Sequence, residues 1–85
     1  MRLLPYIEKE VVPMSLRFSA RNQLRAKVKS VKLGAVMAEV VVELADGQEI
    51  VSAITRTSAE SLNLKQGDDV VMIIKSTEVM IGINE

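Results

Sequence analysis

From Leu24 the chain alternates: Leu24, Ala26 and Val28 are apolar, and the residues between and after them, Arg25, Lys27 and Lys29, are basic. A period of two puts each set on its own face, so this stretch predicts a strand with an apolar inner face and a basic outer face. The phase then changes. Val31 and Leu33 are apolar while Ser30 and Lys32 are polar, which predicts a bulge or sharp coil in a strongly bent strand. Gly34 ends it. A second strand is expected over Ala35–Leu44, with Val36, Ala38, Val40, Val42 and Leu44 on one face. Met37, Glu39, Val41 and Glu43 form the other face, a mixed surface suited to meeting another subunit.

Asp46-Gly47 then predicts a type I′ hairpin, because both central positions of that turn need positive φ. Gln48–Thr55 should return as a third, antiparallel strand. Thr57-x-x-Glu60 fits a capping box opening one or two helical turns, with Ser58 as the competing N-cap. Lys65–Asp69 is a polar exit turn. The apolar run Val70–Ile74 reads as a fourth strand covered on both faces. Lys75-Ser76-Thr77 interrupts it before Val79, Met80 and Ile81 resume in a fifth. A mainly β domain of five short strands, with one short helix between strands three and four, is the pattern of a small Greek-key barrel of the OB type.

Residues 1–14 carry both prolines and hold neither a two-residue nor a helical period. They are read as an N-terminal extension to a domain over residues 15–85. Ile7–Val12 could add an edge strand or partner contact, with Pro13 stopping further pairing. At 85 residues a single domain buries a marginal core, so assembly is expected.

Eleven basic residues balance eleven acidic ones, which leaves no general basic field of the kind that draws a protein onto nucleic acid. With no Cys and no His, soft metal ligands, thiolate chemistry and a Ser-His pair are absent, so no direct metal-cation ligands and no enzymatic function are expected. No stretch reads as a secretory signal or membrane span, and a cytoplasmic location is the expectation.

Three polar clusters remain: Ser19-Ala20-Arg21, Thr55–Ser58 and Lys75-Ser76-Thr77. Each lies where a strand or helix starts or stops. Lys75 can place an ammonium, and Ser76 and Thr77 can place hydroxyls and N–H groups, around a small anion at a strand end. Taken singly, each has a plainer reading. Lys75–Thr77 can be a solvated bend, Ser19–Gln23 a solvated lead-in, and Thr57–Glu60 a helix cap. Glu60 also argues against a bare anion site at the helix start, because its carboxylate can occupy that position.

Ser19-Ala20-Arg21-Asn22-Gln23-Leu24, then Ala38-Glu39-Val40-Val41-Val42-Glu43, and finally Ile74-Lys75-Ser76-Thr77-Glu78-Val79-Met80-Ile81 resemble the molbindins, or Mop domains. The likeness runs over roughly residues 17–83 in order and spacing. It implies an OB-like barrel that binds molybdate, with tungstate as a substitute. It also implies a homo-hexamer built as a trimer of dimers with oxyanions held between subunits. Carried over by position, the likeness assigns anion contacts to Ser19, Ala20 and Arg21 and to Lys75 and Ser76. Thr55 and Ser58 match hydroxyl contacts supplied by a neighbouring subunit. One departure is Ala26, where the family usually has glycine. If that glycine needs positive φ, Ala26 is strained; if it serves close packing, a methyl can fit.

The function expected is noncovalent binding and intracellular storage or buffering of molybdate. Two other readings compete. A nucleic-acid-binding OB module needs a basic groove with stacked aromatics, and this chain has only Tyr6 and Phe18, both outside the predicted strands. A ligand-free structural or regulatory assembly module is the third reading; intact Ser19, Arg21, Lys75 and Ser76 speak against it.

Overall fold

The backbone of Val28 fixes the shape of the domain. In the computed structural model, which describes residues 18–85, the first strand β1 (Asn22–Leu33) pairs with two neighbours in succession. Its first half lies antiparallel to β4 (Asp69–Ile74), from Asn22↔Ile74 to Lys27↔Asp69. Its second half lies antiparallel to β2 (Met37–Glu43), from Lys27↔Glu43 to Leu33↔Ala38. Between Val28↔Val42 and Ser30↔Val41 the register slips by one residue, so Lys29 is the extra residue of a β-bulge. The change of phase in the sequence is this bulge: inward positions are Ala26 and Val28 before it and Val31 after it. Val28 also donates to the Asp68 carbonyl (2.9 Å) and accepts from Gly67 N–H (2.8 Å), tying the bend to the turn that leads into β4.

β3 (Glu49–Thr55) pairs antiparallel with β2, giving a four-stranded sheet in the order β3-β2-β1-β4. The protein is therefore mainly β, a bent antiparallel sheet with one short helix, α1 (Arg56–Ser61). The core lies on the concave face, where Ala26, Val28, Val40 and Val42 form a buried cluster. Val31, Ile50, Ile54, Leu64, Val70 and Met72 pack around it. Val28 and Val42 face each other in register, and each contributes roughly 1.5–3 kcal/mol by leaving water.

Several expectations need correction. The hairpin after β2 is not type I′, since Gly47 (φ 91°) has positive φ and Asp46 does not. Gly47 N–H donates to the Leu44 carbonyl (2.9 Å) and Leu44 N–H to the Gln48 carbonyl (2.8 Å), a three-residue loop whose last residue is left-handed. Gln48 holds it further: its side-chain amide first, then its N–H, donate to the Asp46 carboxylate and keep that group below the usual carboxylate range. The helix cap is Thr55, not Thr57 or Ser58. Its Oγ1 accepts from Ser58 N–H (3.0 Å), while Glu60 turns to Arg56 four residues back instead of closing a capping box. β2 starts at Met37 rather than Ala35, and Val36 lies exposed instead of on the inner face.

Leu24 is 40 % exposed, so the inward face of β1 is closed only from Ala26 onward. β4 is likewise not covered on both faces, since Ile73 is exposed. A fifth strand is not formed: after a 3-10 turn at Ser76–Glu78, residues 79–85 carry no regular structure. Residues 79–85 pair with neither of the edge strands, β3 or β4, within the described chain. Ala26, by contrast, raises no difficulty. Asn63 is the one non-glycine residue with positive φ among those described, and Ala26 sits in the core opposite Val70. Its methyl is accommodated by packing. The expected extension over residues 1–14, and with it the edge strand at Ile7–Val12, lies outside the described residues.

Helix α1 ends as its sequence requires. Asn63 (φ 53°) takes the left-handed position; Asn63 N–H bonds the Glu60 carbonyl and Leu64 N–H the Ala59 carbonyl. This Schellman arrangement turns Leu64 back onto the core beside buried Ala59.

Candidate functional site

The ladder between β1 and β4 ends at Asn22↔Ile74. Arg21 immediately precedes Asn22 and Lys75 immediately follows Ile74, so both flank this end of the ladder, and Ser76 opens a 3-10 turn. Two of the three polar clusters thus meet at one end of the sheet although more than fifty residues separate them in sequence. The Ser19–Arg21 turn is held from β1: the Gln23 side-chain amide donates to the Ala20 carbonyl at 2.8 Å. On the opposite side, Lys75 leads into the 3-10 turn, with Glu78 N–H donating to the Lys75 carbonyl at 2.9 Å. Ser19, Arg21, Lys75 and Ser76 are exposed and Ala20 is half-buried.

Neither Arg21 nor Lys75 forms an ion pair with a described residue, whereas other basic side chains of the sheet do. Lys27 Nζ is 2.6 Å from Asp69 Oδ1, and Lys29 pairs with Glu49, whose hydrogen bond and charge raise the lysine above its ordinary value. Two cations with no acidic partner among the described residues thus flank the end of β1 and β4, and both are free to donate to an oxyanion.

The third cluster is elsewhere. Thr55 closes β3 and pairs with Met37 at the start of β2, and β2 meets the far end of β1 through Ala38↔Leu33. Thr55 and Ser58 therefore lie near the opposite end of the twelve-residue β1 from Arg21. At about 3.3 Å per residue a straight strand of that length separates its ends by roughly 36 Å, and the bend shortens this. Within one chain the two groups of donors do not form one site. The Thr55 hydroxyl donates to Ser58 Oγ at 2.8 Å, making the two hydroxyls a single hydrogen-bonded unit.

Arg56, which the sequence pattern did not single out, ties the start of α1 to the turn before β2. Its N–H donates to the Val36 carbonyl (2.8 Å), its Nη1 to the Gly34 carbonyl (3.2 Å) and its Nε to Glu60 (3.0 Å). The signal available was only an i, i+4 Arg-Glu pair. Gly34 itself leaves no room for a side chain, because a Cβ there would sit 2.9 Å from the Met37 carbonyl oxygen, which is bonded to Gly34 N–H. Gly34→Ala is expected to destabilise the fold by about 1–3 kcal/mol through this forced contact. Urea unfolding of the variant checks it; an unchanged midpoint would mean that the turn yields freely.

The family model of the TOBE domain matches residues 19–81, which runs from the first cluster through the last. The chain belongs to the TOBE-domain family. Molybdenum-pterin-binding protein 3 of Clostridium pasteurianum is 50% identical over 66 residues, covering 78% of this chain and 97% of that protein. MopII from the same organism, solved in an apo form, superposes with a TM-score of 0.75 at 48% identity, covering 79% of this chain and all of the other. A molybdate-bound form of the cytoplasmic molybdate-binding protein ModG superposes with a TM-score of 0.78 at 40% identity, over 82% of this chain and 50% of that one. These TOBE-domain relatives are named for binding rather than for a reaction. No helix among the described residues of this TOBE chain is long and apolar enough to cross a membrane.

Proposed function

We propose that this TOBE-domain chain binds molybdate, with tungstate as a substitute, as a noncovalent store or buffer in the cytoplasm. The observation that supports the reading is that Arg21 and Lys75, two cations with no acidic partner among the described residues, flank the same end of the β1–β4 ladder. Arg21 and Lys75 supply charge; the hydroxyls of Ser19 and Ser76 and the backbone N–H groups of Ser19-Ala20-Arg21 orient a tetrahedral dianion. No bond is made or broken, so the protein acts without catalysis. Molybdate-binding relatives at 40–50% identity support the choice of ligand.

Thr55 and Ser58 complete the site from a neighbouring subunit, since they stand too far from Arg21 to do so within one chain. The oligomer is a homo-hexamer, a trimer of dimers, and residues 79–83 form the fifth barrel strand against a neighbouring copy. Titration calorimetry with molybdate, tungstate, sulfate and phosphate tests the ligand. Heat is expected with the first two; a flat trace with molybdate at high micromolar concentration would reject the function.

A further inference from the structure

Gln23 lies on β1, paired with Ile73, and its side chain is exposed. Its amide nevertheless has a specific partner, the carbonyl of Ala20 three residues back, at 2.8 Å. That bond constrains more than one atom. Ala20 C=O and Arg21 N–H belong to one peptide plane, which is trans here and points the two groups in opposite directions. Fixing the carbonyl toward Gln23 therefore fixes the direction of the Arg21 N–H and the exit of the Arg21 Cα. Residues 18–21 precede the ladder and carry no regular structure, so the backbone bonds that order β1 do not order them. A residue fixed in one backbone conformation loses conformational entropy. A turn already held in its binding conformation spares the anion that cost.

We propose that Gln23 is a positioning residue for oxyanion binding: its side-chain amide locks the Ser19-Ala20-Arg21 turn so that Arg21 stands at the Lys75 end of the β1–β4 ladder before the anion arrives. The inference rests on the reading of this site as an oxyanion site. The ladder uses only the backbone of Gln23, so removing the amide leaves the sheet intact.

The test uses the full chain and molybdate. Gln23→Met keeps the length and the apolar stem but removes the donor, and Gln23→Ala removes both. A lost hydrogen bond of about 1 kcal/mol corresponds to roughly five- to tenfold weaker molybdate binding in both variants. The ligand-free thermal midpoint and the assembly mass should stay at wild-type values. Faster amide exchange at Ala20 and Arg21 in ligand-free Gln23→Met, by 15N NMR, should accompany the loss. Wild-type affinity in both variants overturns the proposal and leaves the oxyanion reading standing. A lowered ligand-free midpoint or altered mass in Gln23→Met also overturns it, because the role is then structural. A wild-type chain that binds no molybdate removes the oxyanion reading itself and this proposal with it.

Discussion

Arg21→Ala combined with Lys75→Ala is expected to weaken molybdate binding by about 10²–10⁴-fold while leaving the ligand-free protein at least as stable as wild type. The size follows from hydrogen bonds to charged groups, worth about 1.5–3 kcal/mol each, with about 1.4 kcal/mol per tenfold in affinity. Because the two side chains would share one ligand, their effects are not independent, and the double variant should lose less than the sum of the singles. The stability half of the expectation separates this site from an ordinary salt-bridge cluster. Neither side chain has an ion-pair partner among the described residues, and the two cations flank the same end of the β1–β4 ladder. Removing both takes away no attraction within the described chain. Calorimetry and thermal unfolding of the double variant decide the matter together. Molybdate affinity that survives both substitutions would place the site elsewhere, and a drop in ligand-free stability would show that the cations serve the fold.

What the sequence made legible was what depends on local pattern. The alternation from Leu24 and its phase change at Lys29 revealed both the bent first strand and its bulge, because an extra residue in a strand necessarily shifts which side chains face inward. Gly34 and the Lys65–Asp69 turn marked strand ends for the same reason. Turn chemistry was harder. Asp46-Gly47 is compatible with two loops, and the choice depends on how the Leu44–Gln48 pair closes, which Asp46 and Gln48 settle through their side chains. The cap was misplaced because Thr55, Thr57 and Ser58 all have suitable hydroxyls. Only the end of β3 against Met37 decides which of them stops being strand. Of the candidate site, the meeting of Arg21 with Lys75 depends on register and could not be read from composition or spacing. The positions come from resemblance, and the fold puts them next to the same end of the β1–β4 ladder. The bonds of Gln23 and Arg56 to backbone carbonyls had no signature in the sequence, since the location of each carbonyl is a product of the fold.

The described residues bury a small core and leave a large apolar surface, and that imbalance leads to the second prediction. The buried apolar residues among those described are Ala26, Val28, Ala38, Val40, Val42 and Ala59, none larger than valine. Met80, Ile81 and Ile83, by contrast, are 92%, 87% and 83% exposed, and Val36, Met37, Val51 and Ile73 are also open. Isolated exposed apolar residues are ordinary, but three large ones within four positions at the end of the described chain form a patch suited to an interface. A closed oligomer, a hexamer by the reading above, is therefore expected in ligand-free buffer at low micromolar protein, as measured by light scattering. Ligand and assembly should then be linked. If Thr55 and Ser58 of one copy complete the Arg21–Lys75 site of another, molybdate binds only the assembled state and stabilises it by mass action, by about 2.7 kcal/mol at a hundredfold excess over Kd. For a domain of this size that corresponds to a rise in thermal midpoint of roughly 10 °C or more. Thr55→Ala with Ser58→Ala should shrink the rise without dissociating the oligomer, since both hydroxyls are exposed and bond chiefly to each other's residue. A chain that remains strictly monomeric with molybdate present, yet binds it, would rule out the shared site and require all donors to come from the Arg21–Lys75 end alone.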